Sequence, residues 1–81
     1  MRRASSHRKA SPAFLRGVAN NIKRLREACG YTQEELADRI GFNKSRIYKL
    51  EQATVNASLS SLETVARGLG CDVEELLRRT P

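Results

Sequence analysis

The sequence predicts a compact all-α domain of five helices, and three observations support this fold class. Apolar residues recur at intervals of three and four residues along most of the chain. Helix-capping residues precede these apolar runs, and glycines follow several of them. No stretch has the alternating pattern of a strand, and a chain of 81 residues holds one domain at most. We expect this domain to occupy residues 12–81.

A basic segment precedes the predicted domain. Residues 1–11 contain no acid and no large apolar side chain beyond Met1, and their positive charges lie on Arg2, Arg3, Arg8 and Lys9. Such a segment cannot pack against a core, so we expect a flexible arm. His7 is the only histidine of the chain, and we assign it no catalytic or metal-binding role.

The first helix is predicted to begin at Pro12 with Ser11 as its cap, because proline fits the first helical position. Gly17 weakens its first turns. Gly30 is expected to end the helix. Its apolar stripe consists of Val18, Ile22, Leu25 and Cys29.

Residues 32–52, TQEELADRIGFNKSRIYKLEQ, predict two short helices joined by a tight turn. Thr32 and Glu35 have the spacing of a capping box at the start of the first of them. Gly41 ends this helix, where a left-handed residue is favoured, and Asn43 caps the next one. Helices separated by so few residues must cross steeply, which predicts a helix-turn-helix.

The second helix of this pair has one apolar and one polar side. Ile47 and Leu50 face inward at a spacing of three residues, and Glu51 lies toward the same side. At about 100° per residue, the opposite face consists of Ser45, Tyr48, Lys49 and Gln52, flanked by Lys44 and Arg46. Because no acid interrupts this face, it suits a polyanionic partner.

Two more helices are predicted after a loop over residues 53–57. Ser58 caps the fourth helix and Gly70 ends it. Asp72 and Glu75 predict another capping box at the start of a fifth helix. The apolar residues of these two helices are Leu59, Leu62, Val65, Ala66, Leu69, Val73, Leu76 and Leu77.

The chain resembles the Xre (Cro and cI repressor-like) family of DNA-binding regulators over approximately residues 17–79. The resemblance rests on the TQEELA opening, the Gly41 turn, Ile47 and the LEQ ending. The resemblance implies a lambda-repressor-like fold. It also implies a structural ion pair that ties Arg26 in the first helix to Glu51. The chain departs from the family at Ala53, where glycine is usual.

The resemblance places the polar helix face in the major groove of double-stranded DNA. The expected base contacts are Lys44, Ser45, Arg46, Tyr48 and Lys49. The expected phosphate contacts are Thr32, Gln33, Asn43, Gln52 and Asn56. Lys44 replaces a glutamine that is common in the family, so we expect it to contact guanine or phosphate. The alternatives are a solvated face for Lys44, Ser45 and Lys49 and simple helix capping for Thr32 and Asn43.

The charge of the chain favours the same partner. Fifteen basic and nine acidic residues give a net charge of +6 and a pI near 10.0, which is typical of nucleic-acid-binding domains. The basic arm either lies along phosphates or a minor groove, as homeodomain arms do, or is a solvated tail. With no transmembrane span or signal peptide in the sequence, we expect a cytoplasmic protein, associated with the nucleoid when bound to DNA.

The cysteines and histidine do not indicate a cofactor. Cys29 and Cys71 have no second ligand at zinc-binding spacing, so we predict small buried hydrophobic residues and no metal. This inventory also lacks a nucleophile, base and oxyanion hole, which argues against an enzyme.

The resulting hypothesis is a sequence-specific transcriptional regulator that binds a palindromic operator as a homodimer and controls its own gene. Phage repressors and restriction-modification controller proteins are of similar size. RNA polymerase is a further expected partner. The expected dimer interface consists of Leu59, Leu62, Val73, Leu76 and Leu77, and the hydrophobic core is the alternative location for each. An antitoxin that binds a toxin protein and regulates its own operon is the alternative function.

Overall fold

Helices account for most of the chain in the computed structural model, which describes residues 11–55 and 57–79. These residues contain no strand, and they form helices α1 (Pro12–Ala28), α2 (Gln33–Ile40), α3 (Lys44–Glu51), α4 (Leu59–Leu69) and α5 (Val73–Leu77). The predicted five-helix, all-α fold is thereby confirmed. The predicted basic arm lies outside the described residues except for Ser11, and so does Asn56.

Side-chain caps start four of the five helices, as predicted. The Ser11, Asn43 and Ser58 side chains each accept a hydrogen bond from a backbone N–H three residues on. Thr32 and Glu35 form the complete capping box, with the Glu35 N–H donating to Thr32 Oγ1 at 3.0 Å and the Thr32 N–H donating to Glu35 Oε1 at 2.8 Å. Each such cap stabilises its helix by about 1 kcal/mol.

The capping box predicted for α5 is wrong. The Asp72 side chain makes no cap hydrogen bond. The Glu75 N–H donates instead to the backbone carbonyl of Asp72, at 3.0 Å. The start of this five-residue helix is therefore held by a tight backbone turn and not by a side-chain cap.

The core draws one fully buried side chain from every helix. Those side chains are Ile22, Leu36, Ile47, Val65 and Leu76, all with 0% exposure. A single contiguous cluster thus sets the orientation of all five helices, since moving one helix would open a cavity against the helices that it contacts.

Helices α2 and α4 approach each other closely at Gly68. A Cβ atom added at Gly68 would collide with the Ile40 side chain and come within 3.3 Å of Leu36. Gly68 has an ordinary helical backbone, so its role is to allow the two helices to pack side by side. The sequence contains this glycine in the middle of an apolar pattern, but the pattern alone does not reveal which helix it faces.

A buried asparagine links α1 to the end of α5. Asn21 is 1% exposed, and its Nδ2 donates to the carbonyls of Leu76 at 2.9 Å and Arg78 at 2.8 Å. The last carbonyls of a helix have no partners within that helix, and Asn21 satisfies two such groups at this end of α5. Sequence analysis did not identify this residue, because it is not part of the apolar stripe of α1 and its acceptors lie at the far end of the chain.

The prediction that both cysteines are buried is wrong for Cys29, which is exposed. Helix α1 ends at Ala28, so Cys29 lies beyond the regular helix and leaves its apolar stripe. Its Sγ lies 3.6 Å from the carbonyl oxygen of Leu69. Cys71 is half-buried, and burial, followed by the nearby charges of Glu75 and Asp72, raises the pKa of its thiol.

Candidate nucleic-acid interface

The turn between α2 and α3 sets the direction of the third helix. Gly41 ends α2 in the left-handed conformation, at φ 78°. The N–H of Phe42 then donates to the carbonyl of Ala37 at 2.9 Å, which closes the end of α2. Asn43 starts α3 immediately afterwards. Phe42, between the two caps, is half-buried against the core.

The outward face of α3 is polar and exposed along its whole length. Tyr48 is 52% exposed. The other exposed side chains of this face are Lys44, Ser45, Lys49 and Gln52. The one acid of α3, Glu51, is only 5% exposed, so no carboxylate faces the solvent on this helix. Two ammonium groups, a hydroxyl, a phenol and an amide therefore form a continuous surface that a negatively charged partner can approach.

Glu51 is held by three donors from the two preceding helices. Arg26 Nε donates to Glu51 Oε2 at 2.7 Å, and Arg26 Nη2 donates to Oε1 at 3.1 Å. Gln33 Nε2 donates to the same Oε1 at 3.0 Å. The Arg26 side chain is 10% exposed and that of Glu51 1%. The structure thus contains the ion pair that the family resemblance implied, and this pair fixes the carboxyl end of α3.

The guanidinium of Arg26 has a second acceptor, the carbonyl of Tyr31, at 2.6 Å. The hydrogen bond to Glu51 raises the pKa of Arg26, burial opposes this shift, and the charge of Glu51 adds to it. The carboxylate of Glu51 thus faces Arg26 inside the protein and is not presented to a partner.

Gln33 contacts the end of α3 in the structure, and the phosphate contact expected for it remains a prediction. Its side-chain amide is half-buried, and one N–H is already used by Glu51. This contact braces α2 against the end of α3. A second amide hydrogen remains, so a phosphate contact is compatible with this bracing role.

Arg46 does not project from α3 as the other expected base-contacting residues do. Its guanidinium lies over the Phe42 ring, 3.8 Å from the ring centroid. Its Nη2 donates to Ser61 Oγ on α4 at 2.6 Å. Ser61 Oγ is also 2.9 Å from the Oγ of Ser58, the residue that caps α4. The side chain of Arg46 is therefore directed along the protein surface toward the start of α4.

The loop after α3 contains a strained residue. Ala53 has φ 59°, the left-handed region that favours glycine. The next residue, Thr54, donates from both its N–H and its Oγ1 to the carbonyl of Lys49, each at 3.2 Å. Ala53 is the position where the resembling family usually has glycine, and this backbone conformation supplies the physical reason.

The residues expected at a dimer interface differ in exposure. Leu59 is 58% exposed, and Val73 and Leu77 are half-buried. Leu62 is 5% exposed and Leu76 is 0% exposed, so both belong to the core of one chain. Their assignment to an interface is wrong, because a second copy cannot reach side chains that are already buried within one chain.

Metal-binding clusters and membrane-spanning helices were two further features to consider in the described residues. Residues 11–55 and 57–79 contain no group of three His, Cys, Asp or Glu side chains able to hold a metal ion. Within the same residues, no helix has the length and apolar character needed to cross a membrane.

Comparison with known proteins identifies the same part of the chain. The family model described as Helix-turn-helix (HTH_3) matches residues 22–76. The uncharacterized HTH-type transcriptional regulator y4dJ of Sinorhizobium fredii is 36% identical over 63 residues, which are 78% of this chain and 82% of that protein. The immunity repressor of Bacillus phage phi105 is 35% identical over 60 residues, 74% of this chain but 42% of the repressor.

Solved structures share the fold over most of their length. The hypothetical transcription factor NHTF from Neisseria has a TM-score of 0.78 and 32% identity, covering 88% of this chain and 83% of its own. The restriction-modification controller protein C.AhdI from Aeromonas hydrophila has a TM-score of 0.77 and 31% identity, covering 80% of this chain and 94% of its own. SinR, a master regulator for biofilm formation solved in complex with DNA, has a TM-score of 0.72 and 34% identity. The match covers 75% of this chain and 98% of SinR.

Proposed function

This chain belongs to the helix-turn-helix family of DNA-binding transcriptional regulators, and we propose that it binds a palindromic operator as a homodimer and regulates its own gene. The observation that carries this proposal is the outer face of α3. That face is cationic and exposed, while its one acid is buried against Arg26. A helix with such a face fits the major groove of DNA, where base edges display distinct donors and acceptors.

Four side chains of α3 are our proposed base contacts. Lys44 at the amino end and Lys49 further along can each donate to O6 and N7 of guanine. Ser45 can donate or accept, so it discriminates little by itself. Tyr48 can place its ring against a thymine methyl group while its hydroxyl reaches a phosphate. All four are exposed and free to change rotamer as DNA approaches.

Phosphate contacts are proposed at the ends of the helices around this face. Thr32, Gln33, Asn43 and Gln52 lie at the start of α2, the start of α3 and the end of α3. Asn56, which follows α3 in the sequence, completes the set. Because the Thr32 and Asn43 oxygens already accept capping hydrogen bonds, a phosphate would meet backbone N–H groups at these helix starts. Such contacts set the register of the protein without reading sequence.

A homodimer is proposed because one α3 reads only a few base pairs. Two-fold symmetric regulators place two recognition helices about one turn of DNA apart, which matches a palindrome. Leu59, the most exposed of the large apolar side chains, supports an interface on α4, with Val73 and Leu77 as further members. The protein would act in the cytoplasm, at the nucleoid, where RNA polymerase is a further candidate partner.

The test is a binding titration with the DNA directly upstream of the gene. Fluorescence anisotropy would compare this duplex with a scrambled duplex of equal length over a salt series, with stoichiometry measured by analytical ultracentrifugation. We expect the upstream DNA to bind at least about a thousand times more tightly, with two chains per duplex. Equal and weak binding to both duplexes would show only non-specific attraction and would contradict the proposal.

A further inference from the structure

We propose that Arg46 is a positioning residue, which fixes the amino end of the recognition helix α3 by joining Phe42 to Ser61, rather than a residue that reads bases. The inference rests on the proposed DNA-binding function and concerns how its specificity arises. Three segments meet at this one guanidinium. They are the turn before α3, α3 itself, and the first turn of α4.

The geometry of the guanidinium supports this role. Its face is covered by the Phe42 ring at 3.8 Å, and its Nη2 donates to Ser61 Oγ at 2.6 Å. A stacked cation and a charge-assisted hydrogen bond are among the stronger contacts available to an exposed arginine. To enter the major groove, Arg46 would have to give up both contacts.

The partners of Arg46 are themselves fixed, so they can hold it in place. Phe42 packs against the core. Ser61 lies in the first turn of α4, where its N–H donates to the Oγ of the capping residue Ser58 at 3.1 Å. Because Arg46 is held between these two residues, it keeps α3 in a fixed position relative to α4 and to the turn.

Helix α3 needs this anchor because its apolar contact with the core is small. It has eight residues, of which Ile47, Leu50 and Glu51 are buried. Its carboxyl end is held by the ion pair between Arg26 and Glu51, and Arg46 provides the corresponding contact near its amino end. Binding sites require side chains to be held to within about 0.5 Å of the productive geometry, so a loosely held α3 would discriminate poorly between bases.

The first experiment uses Ser61→Ala, which removes the acceptor and leaves every charge in place. The probe is the best duplex selected by the wild-type protein from a random-sequence pool, measured beside a scrambled duplex over a salt series. We expect the preference for the selected duplex to fall by about fivefold to tenfold, with an unchanged slope against salt. Ser60→Ala, at an exposed serine beside it, is the matched control and should retain the full preference.

A double-mutant cycle with Arg46→Met tests whether Ser61 acts through Arg46. The methionine keeps an apolar stem on the Phe42 ring and removes the donor. In the Arg46→Met background, Ser61→Ala should cause no further loss, because the contact is already absent. Far-UV circular dichroism of each variant establishes that it is folded, and Ser61→Ala alone still tests the proposal if Arg46→Met does not fold.

Three results would overturn the inference. The first is an unchanged preference in Ser61→Ala. The second is an equal loss from Ser61→Ala with and without Arg46, which would mean that Ser61 contacts DNA itself. The third is a salt slope reduced by about one in Arg46→Met, which would make the guanidinium a phosphate contact. If the wild-type protein selects no duplex at all, the proposed function itself fails, and that outcome is distinct from these three.

Discussion

Replacing Arg26 with methionine tests the buried ion pair at the carboxyl end of α3. The variant leaves the carboxylate of Glu51, 1% exposed, with a single remaining donor from Gln33 at 3.0 Å. The carbonyl of Tyr31 loses its partner as well. Leaving one charge of a buried pair without its counter-ion costs about 3–5 kcal/mol. For a domain of this size, whose total stability is roughly 4–12 kcal/mol, this is a large fraction.

The double variant Arg26→Met/Glu51→Leu separates two free-energy terms. One is the cost of leaving Glu51 without its counter-ion, and the other is the net contribution of the ion pair to stability. Removing both charges also removes both desolvation penalties, so the double variant should be more stable than Arg26→Met alone and within about 1–2 kcal/mol of the wild type. Lys23→Met, at an exposed lysine of the same helix, is the control for losing one positive charge. It should change stability by less than about 0.5 kcal/mol.

Urea denaturation followed by circular dichroism measures these differences. With a slope of about 1–3 kcal/mol per molar urea, the expected loss in Arg26→Met shifts the midpoint by more than about 1 M. A loss below about 1 kcal/mol in Arg26→Met would refute the reasoning, because the carboxylate would then be hydrated in the folded state. A double variant less stable than Arg26→Met would also refute it, since Glu51 would then stabilise the fold without Arg26 and would not be a costly orphaned charge.

Four further predictions follow from individual positions. Lys49→Ala should reduce discrimination between selected and scrambled duplexes by about 1–3 kcal/mol in an anisotropy titration, whereas equal weakening on both would indicate a phosphate contact. Ala53→Gly should stabilise the domain by about 0.5–1 kcal/mol in urea denaturation, because glycine relieves the strain at φ 59° but gains entropy in the unfolded chain. Gly68→Ala should lower stability by about 1–3 kcal/mol in the same assay, since its Cβ would collide with α2; no loss would show that the helices can separate. Cys29 should react with dithiodipyridine faster than Cys71, because burial raises the pKa of the Cys71 thiol and lowers its thiolate fraction; single serine variants assign the two rates, and equal rates would contradict the structure.

Local chemistry made most of the fold predictable. A capping side chain and the N–H that it accepts from are three residues apart, so Ser11, Thr32, Asn43 and Ser58 could be assigned from spacing alone. Asp72 shows the limit of this reasoning. The pattern of a capping box is present, but the Asp72 side chain makes no cap hydrogen bond, and the Glu75 N–H donates to the backbone carbonyl of Asp72.

Contacts between helices that are distant in sequence were harder to predict. The pairing of Arg26 with Glu51 could be expected only from the family resemblance, since no spacing rule joins residues on α1 and α3. The contact between Arg46 and Ser61 was not expected, because it depends on where α4 starts relative to α3. The buried position of Leu62 likewise follows from packing, since a periodic apolar stripe does not distinguish its core side from an interface.

The contacts that hold α3 in place at its two ends do not use the side chains of its outward face. Arg26 and Gln33 hold Glu51 at one end, and Phe42 and Ser61 hold Arg46 near the other. None of these contacts involves the outward side chains of the helix, which are exposed. If the proposed base contacts are correct, substitutions on the outward face should change which bases are preferred while the helix remains in place. Substitutions at the anchors should then affect all the proposed base contacts together, because they move the helix as a unit.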